Sequence, residues 1–271
     1  MELVHARNSD LPEQPPDGNV IMMGYFDGVY AIWVREIIVF MREKERVISA
    51  VVTPLMWIFA VGGGLGASVQ IDGMSYQTFM FPGIASMAIL FGSIFYGMYI
   101  IWDRKLDFLK EVLVAPVPRT AVFLGKMLGG VSDALMQVTV LLLIGLAFGF
   151  VTSLPALLLA IFFSAIIAMC MVSLGLIIGA NMKSPEGFNL VMSFVMWPMF
   201  MLSGALFPVE NLPAYINIIV TINPLTYGVD LMRLALLGTS QFGMLYDIGI
   251  LCFATLVFAY IGSKSFERMQ I

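Results

Sequence analysis

The chain has 271 residues, of which 60% are hydrophobic and only 12% are charged. A soluble domain is usually nearer half apolar and a quarter charged. The apolar residues form blocks of about 20, the length that spans a bilayer as a helix, so composition excludes a soluble protein and predicts an all-α integral membrane protein in the lipid bilayer. The net charge of −4 and the absence of a basic tract exclude a nucleic-acid partner.

The N-terminal residues divide into a tail and a helix. Residues 1–20 are polar and rich in proline, and we expect residues 1–26 to form a disordered tail. Residues 27–46 carry apolar side chains at helical spacing, while Arg35, Arg42 and Arg46 fall on another face. This pattern predicts an amphipathic helix lying in the membrane interface, with a soluble helix packed on another domain as the alternative.

Apolar blocks after this helix predict six transmembrane helices. The predicted spans are about 47–67, 79–101, 121–151, 154–180, 188–207 and 244–262. With these spans, thirteen of the fourteen basic residues fall on one side of the membrane, and only Arg233 falls on the other. Because loops rich in Lys and Arg stay inside, we expect a multi-pass protein whose N- and C-termini are both cytoplasmic.

The predicted spans contain few ionisable side chains, although ion-coupled carriers usually keep such groups in their spans. Asp133 is the one clear candidate for an ion-binding side chain within a span. One possible function is therefore an ion-coupled carrier that uses Asp133, and another is a membrane assembly protein that transports nothing. The only histidine, His5, lies in the tail, and we assign no catalytic residue and no metal ligand. No phosphate-binding Gly-Lys-Ser/Thr loop occurs, so a different polypeptide must bind any ATP that drives the protein.

A charged stretch, residues 102–126, separates the second and third predicted spans. It holds eight charged residues, about a quarter of all those in the chain, and two prolines, Pro116 and Pro118. We predict a hinge in water that contains a short amphipathic helix ending at Pro116. Glu111 could pair there with Arg104, with Lys110 or with the interface helix. The alternative is a solvated connector without a specific contact.

The segment 202–233 contains apolar runs that are too short to span a membrane. We predict two short helices that dip into the outer leaflet and are broken at Asn223 and Pro224, because broken helices at membrane depth need shielding by protein or water. Asp230 and Arg233 lie three residues apart and could pair on one helix face. An outer gate or exit path is the functional interpretation, and an ordinary extracellular loop is the alternative.

Three motifs in this order resemble the permease subunit of type-2 ABC exporters, a family that includes permeases for drugs, nodulation factor and O-antigen polysaccharide. They are EVLVAPVPR at 111–119 followed by GK at 125–126, LSGALFPVENLP at 202–213, and INPLTYGVDLMR at 222–233. The resemblance covers residues 27–268, which we expect to form one permease domain. It leaves the tail without a role.

The resemblance implies four functional regions. It implies an interface helix at 27–46 and a coupling helix around 103–115, and re-entrant outer helices at 208–233. The residues implied to couple to the ATPase are Arg104, Asp107, Phe108, Glu111, Pro116, Pro118 and Arg119. A second cytoplasmic contact is implied at Lys183, Ser184, Pro185 and Glu186, and an outer gate at Phe207, Pro208, Asn223, Pro224 and Arg233.

The resemblance also implies the partners and the activity. Two permeases, identical or closely homologous, would pair above two copies of an ABC ATPase subunit in the plasma membrane of a prokaryote. ATP and magnesium would bind the ATPase, so the permease itself would bind no cofactor and would not be an enzyme. The expected activity is ATP-driven export of an amphiphilic, lipid-like, drug or glycan substrate.

Overall fold

The computed structural model describes residues 24–66, 70–71, 73–106, 117–209 and 213–269 of the chain, and nearly all of them are helical. A short hairpin pairs β1 (Gln70–Ile71) with β2 (Met74–Ser75). A π-helical turn, Trp57–Gly62, separates the second helix from the third. The α-helices are α1 (Tyr25–Arg42), α2 (Lys44–Met56), α3 (Gly63–Gly66), α4 (Tyr76–Phe95), α5 (Met98–Lys105), α6 (Arg119–Ala147), α7 (Leu154–Asn181), α8 (Pro185–Met201), α9 (Ala214–Ile222), α10 (Pro224–Leu237) and α11 (Met244–Glu267).

Several helices begin where a side chain caps the exposed backbone N–H groups. Ser75, Ser153, Ser184 and Asn223 each accept a hydrogen bond from a backbone N–H two or three residues later, at the starts of α4, α7, α8 and α10. A proline occupies the first or second helical position of α7, α8 and α10, where its missing N–H costs nothing. These helix starts are therefore specified locally by the sequence.

Among the described residues, four helical segments are long and apolar enough to cross a membrane. They are Tyr76–Lys105, which joins α4 to α5, and α6, α7 and α11. The segment Ile48–Gly62 is a shorter apolar helix, and α8 has 17 residues. The predicted fourth span, 154–180, agrees with α7 within one residue.

The predicted interface helix and first span differ from the structure at their junction. The helix predicted at 27–46 ends at Arg42, and α2 begins at Lys44. The chain turns at Glu43, whose backbone N–H bonds the carbonyl oxygen of Phe40. The span predicted at 47–67 is not one regular helix, because Pro54 lies inside α2 and the π-helical turn follows it.

The predicted start of the coupling helix at residue 103 is wrong. The second predicted span, 79–101, continues as α5 to Lys105 after a turn at Tyr96 and Gly97. Asp103 and Arg104 therefore lie at the end of a membrane-length helical segment. They do not begin a separate helix, and Asp103 is buried, whereas the prediction put this charged stretch in water. Residues 107–116, the remainder of the predicted coupling helix, lie outside the described residues.

Three other predicted spans also differ from the structure at their ends. The fifth, predicted at 188–207, runs from Pro185 and stops at Met201, because the chain turns with Gly204 at a φ of +77°. The third, predicted at 121–151, ends at Ala147. The sixth, predicted at 244–262, extends to Glu267. Between α8 and α11 lie α9 and α10, which are broken at Asn223 where the sequence predicted a break.

The centre of the bundle contains a contact between main chains. A Cβ atom added at Gly97 would lie 2.0 Å from the carbonyl oxygen of Gly175, and one added at Gly179 would lie 2.0 Å from the carbonyl oxygen of Gly97. The turn between α4 and α5 thus touches α7 through backbone atoms. Glycine is needed at these positions because any side chain would force the two backbones apart.

We expect Gly97→Ala to lower the free energy of unfolding by about 1–3 kcal/mol, the usual cost of overpacking a close contact. The matched control is Gly249→Ala on α11, where an added Cβ meets no atom within 4 Å. Thermal unfolding of the purified proteins in detergent compares the two variants. Equal unfolding temperatures would show that the backbone contact does not limit packing.

Candidate functional site

Helix α1 packs closely against α6. A Cβ atom added at Gly129 would lie 2.5 Å from the Cβ of Glu36, so only glycine permits this separation. Trp33 donates a hydrogen bond from Nε1 to Ser132 Oγ at 2.9 Å. The helix predicted to lie in the membrane interface is thus fastened to the bundle at two successive turns of α6.

Four charged side chains meet where α1, α5 and α6 come together, and we call Arg35, Glu36, Asp103 and Lys126 the inner ionic cluster. The Lys126 ammonium lies 3.0 Å from Glu36 Oε1 and 2.5 Å from Asp103 Oδ2. Arg35 contacts the same two carboxylates, at 2.7 Å and 3.3 Å. Tyr96 donates its hydroxyl to Glu36 Oε2 at 2.7 Å. The cluster therefore connects the N-terminal helix to both helical segments that flank residues 107–116.

The inner ionic cluster is formally neutral, and three of its four side chains are buried, whereas Arg35 is partly exposed. Lys126 is only 1% exposed and Glu36 only 5%. Burial alone raises the pKa of Glu36, but the Lys126 charge, the Tyr96 hydrogen bond and the Arg35 charge together bring that pKa below its ordinary value. Glu36 is therefore ionised at neutral pH. Two carboxylates and two cations balance, as buried charges require.

Two arginines of the predicted coupling region bind helix ends within the chain. Arg104 donates from Nη2 to the carbonyl oxygens of Gly179 and Ala180, both at 3.1 Å. Arg119 donates to two carbonyl oxygens at the C-terminal end of α11, at 2.5 Å and 3.1 Å. The last carbonyls of a helix lack intrahelical partners and carry partial negative charge. Both arginines thus stabilise neighbouring helix ends.

Of the other residues predicted to couple to the ATPase, the structure describes only Pro118. Asp107, Phe108, Glu111 and Pro116 lie outside the described residues. Pro118 is the residue that precedes α6, with the extended backbone typical of a helix start. The end of the coupling helix at Pro116 stays a prediction.

The predicted second cytoplasmic contact forms the start of α8. Ser184 accepts a hydrogen bond from the backbone N–H of Gly187 at 3.1 Å, and Pro185 takes the first helical position. Lys183 and Glu186 are exposed, whereas Pro185 is buried. This turn follows directly on the end of α7 that Arg104 binds, so Arg104 and the predicted second contact are neighbours.

At the other end of the bundle, Asn223 joins α10 to α8. Its side-chain oxygen accepts from the backbone N–H of Leu225 at 3.0 Å, and its Nδ2 donates to the carbonyl oxygen of Met199 at 2.7 Å. Pro224 supplies the first residue of α10. The Asn-Pro pair thus both starts α10 and fixes it to the end of α8.

Arg233 connects α10 to the turn that ends α8. It donates from Nη2 to the carbonyl oxygen of Gly204 at 2.5 Å, and its guanidinium carbon lies 4.4 Å from the centre of the Phe79 ring. Phe207 and Pro208, the other predicted gate residues, follow in the same turn, where Phe207 is half-buried and Pro208 is exposed. The structure therefore brings this part of the predicted gate together around one arginine.

The carboxylate of Asp230 bonds groups other than Arg233, the partner that a spacing of three residues suggested. This carboxylate accepts hydrogen bonds from Ser240 Oγ at 2.8 Å and from the backbone N–H groups of Gln241 and Phe242, at 2.9 to 3.0 Å. These bonds hold the loop that leads from α10 to α11. Arg233 meanwhile points to Gly204, so both members of the predicted pair fasten α10 to neighbouring segments.

A cavity of about 360 Å³ lies between α2, α4, α6 and α8. Its walls are mostly apolar or aromatic, with three polar side chains; the lining includes Ser49, Thr53, Trp57, Phe91, Gln137 and Trp197. The Gln137 amide also donates to the buried carboxylate of Asp133. Within the described part of the chain, no three His, Cys, Asp or Glu side chains lie together as metal ligands.

The sequence interpretation missed the inner ionic cluster. Lys126 and Asp103 were assigned to a solvated hinge, and the helix that carries Glu36 was assigned to the membrane interface. One signal was present, because Lys126 lies seven residues inside α6 among apolar neighbours. A cation at such a position requires a buried anion, but sequence spacing does not identify a partner 90 residues away.

Comparison with known proteins gives matches over most of the chain. The family model described as "ABC-2 type transporter" matches residues 27–237. Nodulation protein J of Rhizobium leguminosarum bv. viciae is 27% identical over 226 residues, which cover 82% of this chain and 87% of the relative. Nodulation protein J of Rhizobium meliloti strain 1021 is 27% identical over 242 residues, with coverages of 88% and 92%. The inner membrane transport permease YadH of Escherichia coli strain K12 is 26% identical over 259 residues, with coverages of 90% and 96%.

We expect Lys126→Met to lower the free energy of unfolding by about 3–5 kcal/mol, because it leaves a buried excess of negative charge. The double variant Lys126→Met with Asp103→Asn restores neutrality and should recover part of this loss. Chemical unfolding in detergent measures both variants.

The matched control for this experiment is Lys264→Met. Lys264 is exposed on α11, so its replacement should change the free energy of unfolding by no more than about 0.5 kcal/mol. A Lys126→Met protein as stable as the Lys264→Met protein would contradict the role of the inner ionic cluster.

Proposed function

The chain belongs to the ABC-2 type transporter family, and from this premise we propose that it is the membrane-spanning subunit of an ATP-driven exporter. The matched segment, 27–237, covers most of the chain, and the relatives include an inner membrane transport permease. Members of this family normally pair with an ABC ATPase subunit. The family match over this length is the observation that carries the proposal.

The proposed exporter subunit crosses the membrane six times with both termini in the cytoplasm. Four helical segments have the length and apolarity of spans. The continuous segment from α2 through α3 and the 17-residue α8 would supply the other two crossings, and about 17 residues is the lower limit for a span. The distribution of basic residues supports this orientation, because only Arg233 then lies outside.

The outer helices α9 and α10 are proposed to enter the outer leaflet and to form a gate. Tyr215, Ile218 and Ile222 on α9 are between 62% and 76% exposed. An exposed face of this kind is favourable against lipid and unfavourable in water. The hydrogen bonds of Asn223 and Arg233 support a gate, because they connect α10 to the end of α8 and to the turn that follows it.

Coupling is proposed to act through residues 107–116. This segment is the direct continuation of α5, whose Asp103 and Arg104 bind α1, α6 and α7. Two ATPase subunits, with ATP and magnesium bound to them, would close and press on this segment and on the exposed turn at Lys183 and Glu186. The inner ionic cluster would pass that movement to three helices together, in each of two paired permeases.

The substrate class is proposed from the cavity between α2, α4, α6 and α8. Trp57, Phe91 and Trp197 supply flat apolar walls, while three side chains supply hydrogen bonds. Apolar walls with few polar groups favour an amphiphilic molecule whose apolar part enters the cavity. A lipid-like or drug-like substrate fits this lining, and a glycan would need its own apolar carrier.

The proposed function is tested by reconstituting the chain with an ABC ATPase subunit from the same organism. We expect the two proteins to co-purify and to move a labelled amphiphile across proteoliposome membranes only when ATP is present. An ATPase variant that cannot hydrolyse ATP is the control. Transport driven by an ion gradient without ATP, and lost in Asp133→Asn, would favour the ion-coupled carrier instead.

The variant Arg104→Gln distinguishes two roles of Arg104. One is the observed binding of the end of α7, and the other is the contact with the ATPase that the sequence predicted. We expect transport per ATP hydrolysed to fall several-fold while co-purification is retained, because the substitution removes the hydrogen bonds to the end of α7. The control is Lys105→Gln at the exposed neighbouring position. Loss of co-purification in Arg104→Gln alone would instead support a direct contact, and unchanged transport would contradict both roles.

A further inference from the structure

Asp247 stands apart from the other buried carboxylates in the described residues. It lies in the first turn of α11 and is 0% exposed. Neither of its carboxyl oxygens receives a hydrogen bond from any group in the described part of the chain. By contrast, Glu36, Asp103, Asp133 and Asp230 each accept at least one hydrogen bond from a side chain.

The neighbour of Asp247 is another carboxylate. Asp247 lies beside Asp230 on α10, and its backbone N–H bonds the carbonyl oxygen of Gly243, the residue directly after Phe242, whose own N–H bonds Asp230. The donors nearby serve Asp230, which accepts from Ser240, Gln241 and Phe242. Two carboxyl groups therefore meet at the junction of α10 and α11. The hydrogen-bond donors named above all bond to Asp230, and none of them bonds to Asp247.

The remaining polar groups around this junction are few. Tyr227 of α10 donates its hydroxyl to the carbonyl oxygen of Thr221, and its ring packs against that of Tyr246 on α11. Arg233 donates to Gly204. The ends of α6 and α7 nearest this junction, residues 140–147 and 154–163, contain no titratable side chain.

A buried carboxylate without donors is costly, because it loses hydration and gains no hydrogen bond. Two adjacent carboxylates repel each other, and this repulsion also disfavours charging both. One proton removes both costs, since a protonated carboxyl group can donate to its ionised neighbour. We propose that Asp247 and Asp230 form a proton-holding pair, in which Asp247 carries the proton and donates it to Asp230.

The proton-holding pair would fasten the start of α11 to α10 with one short hydrogen bond. Asp230 would then accept from its loop and from α11 together, and the outer ends of three segments would meet at one carboxylate. This arrangement is independent of what the protein transports. It makes Asp247→Asn a close mimic of the native state, because the amide also donates to Asp230.

Infrared spectroscopy of the purified protein at neutral pH tests the pair directly. We expect the wild-type protein to show the carbonyl stretch of a protonated carboxylic acid, and Asp247→Asn to lose that band. Asp27→Asn, at an exposed position of α1, is the matched control and should keep it. A wild-type spectrum without the band, or a band that survives Asp247→Asn, would overturn the proposal.

A second variant and the addition of divalent cations complete the test. Asp230→Asn should also lose the band, because its amide can donate to Asp247 and removes the need for a proton; a band that persists in this variant would count against the pair. The competing occupant is a bound cation. If magnesium or calcium raises the unfolding temperature of the wild-type protein but not of Asp247→Asn, a cation occupies the pair and the proton proposal is wrong.

Discussion

An ammonium group enclosed by helices must be neutralised where it lies, and Lys126 imposes this condition on the end of the bundle where α1, α5 and α6 meet. Its two carboxylate partners come from different helices, Glu36 from α1 and Asp103 from α5. Because removing either anion would leave a buried charge uncompensated, the three helices are constrained to remain together. The close approach of α1 to α6 at Gly129 and the hydroxyl of Tyr96 complete the same arrangement. The segment 107–116 thus begins at a part of the molecule with little freedom to shift internally.

Outside this cluster, several long polar side chains end on main-chain carbonyl groups. Arg104, Arg119, Arg233 and Asn223 each donate to carbonyl oxygens at or just beyond the end of another helix or in the turn after it. A bundle in a membrane cannot leave such groups without partners at low cost. These four side chains therefore act as connectors between helices at both ends of the bundle, and they order the turns that the family resemblance associates with function.

The sequence was informative where length and local chemistry decide the structure. The block that became α7 is apolar for its full length and has a serine cap, and the break between α9 and α10 follows from Asn223 and Pro224. Hydropathy failed at the end of α8, because the residues after Met201 are still mostly apolar, although the chain turns there with Gly204 at a positive φ. It failed again at Asp103 and Lys126, whose charges indicated water. Their burial depends on α1 returning to α6 from 90 residues away in sequence, and no local pattern contains that information.

The glycine contact between the α4–α5 turn and α7 has a consequence for the cavity that α4 lines. Main-chain atoms set the distance between the α4–α5 turn and α7, so the position of this end of α4, which forms one wall of the cavity, does not depend on the size of any side chain at the crossing. The identity of the wall residues can then change without moving the helices. The placement of this wall and the chemistry of its surface thus depend on separate sets of positions.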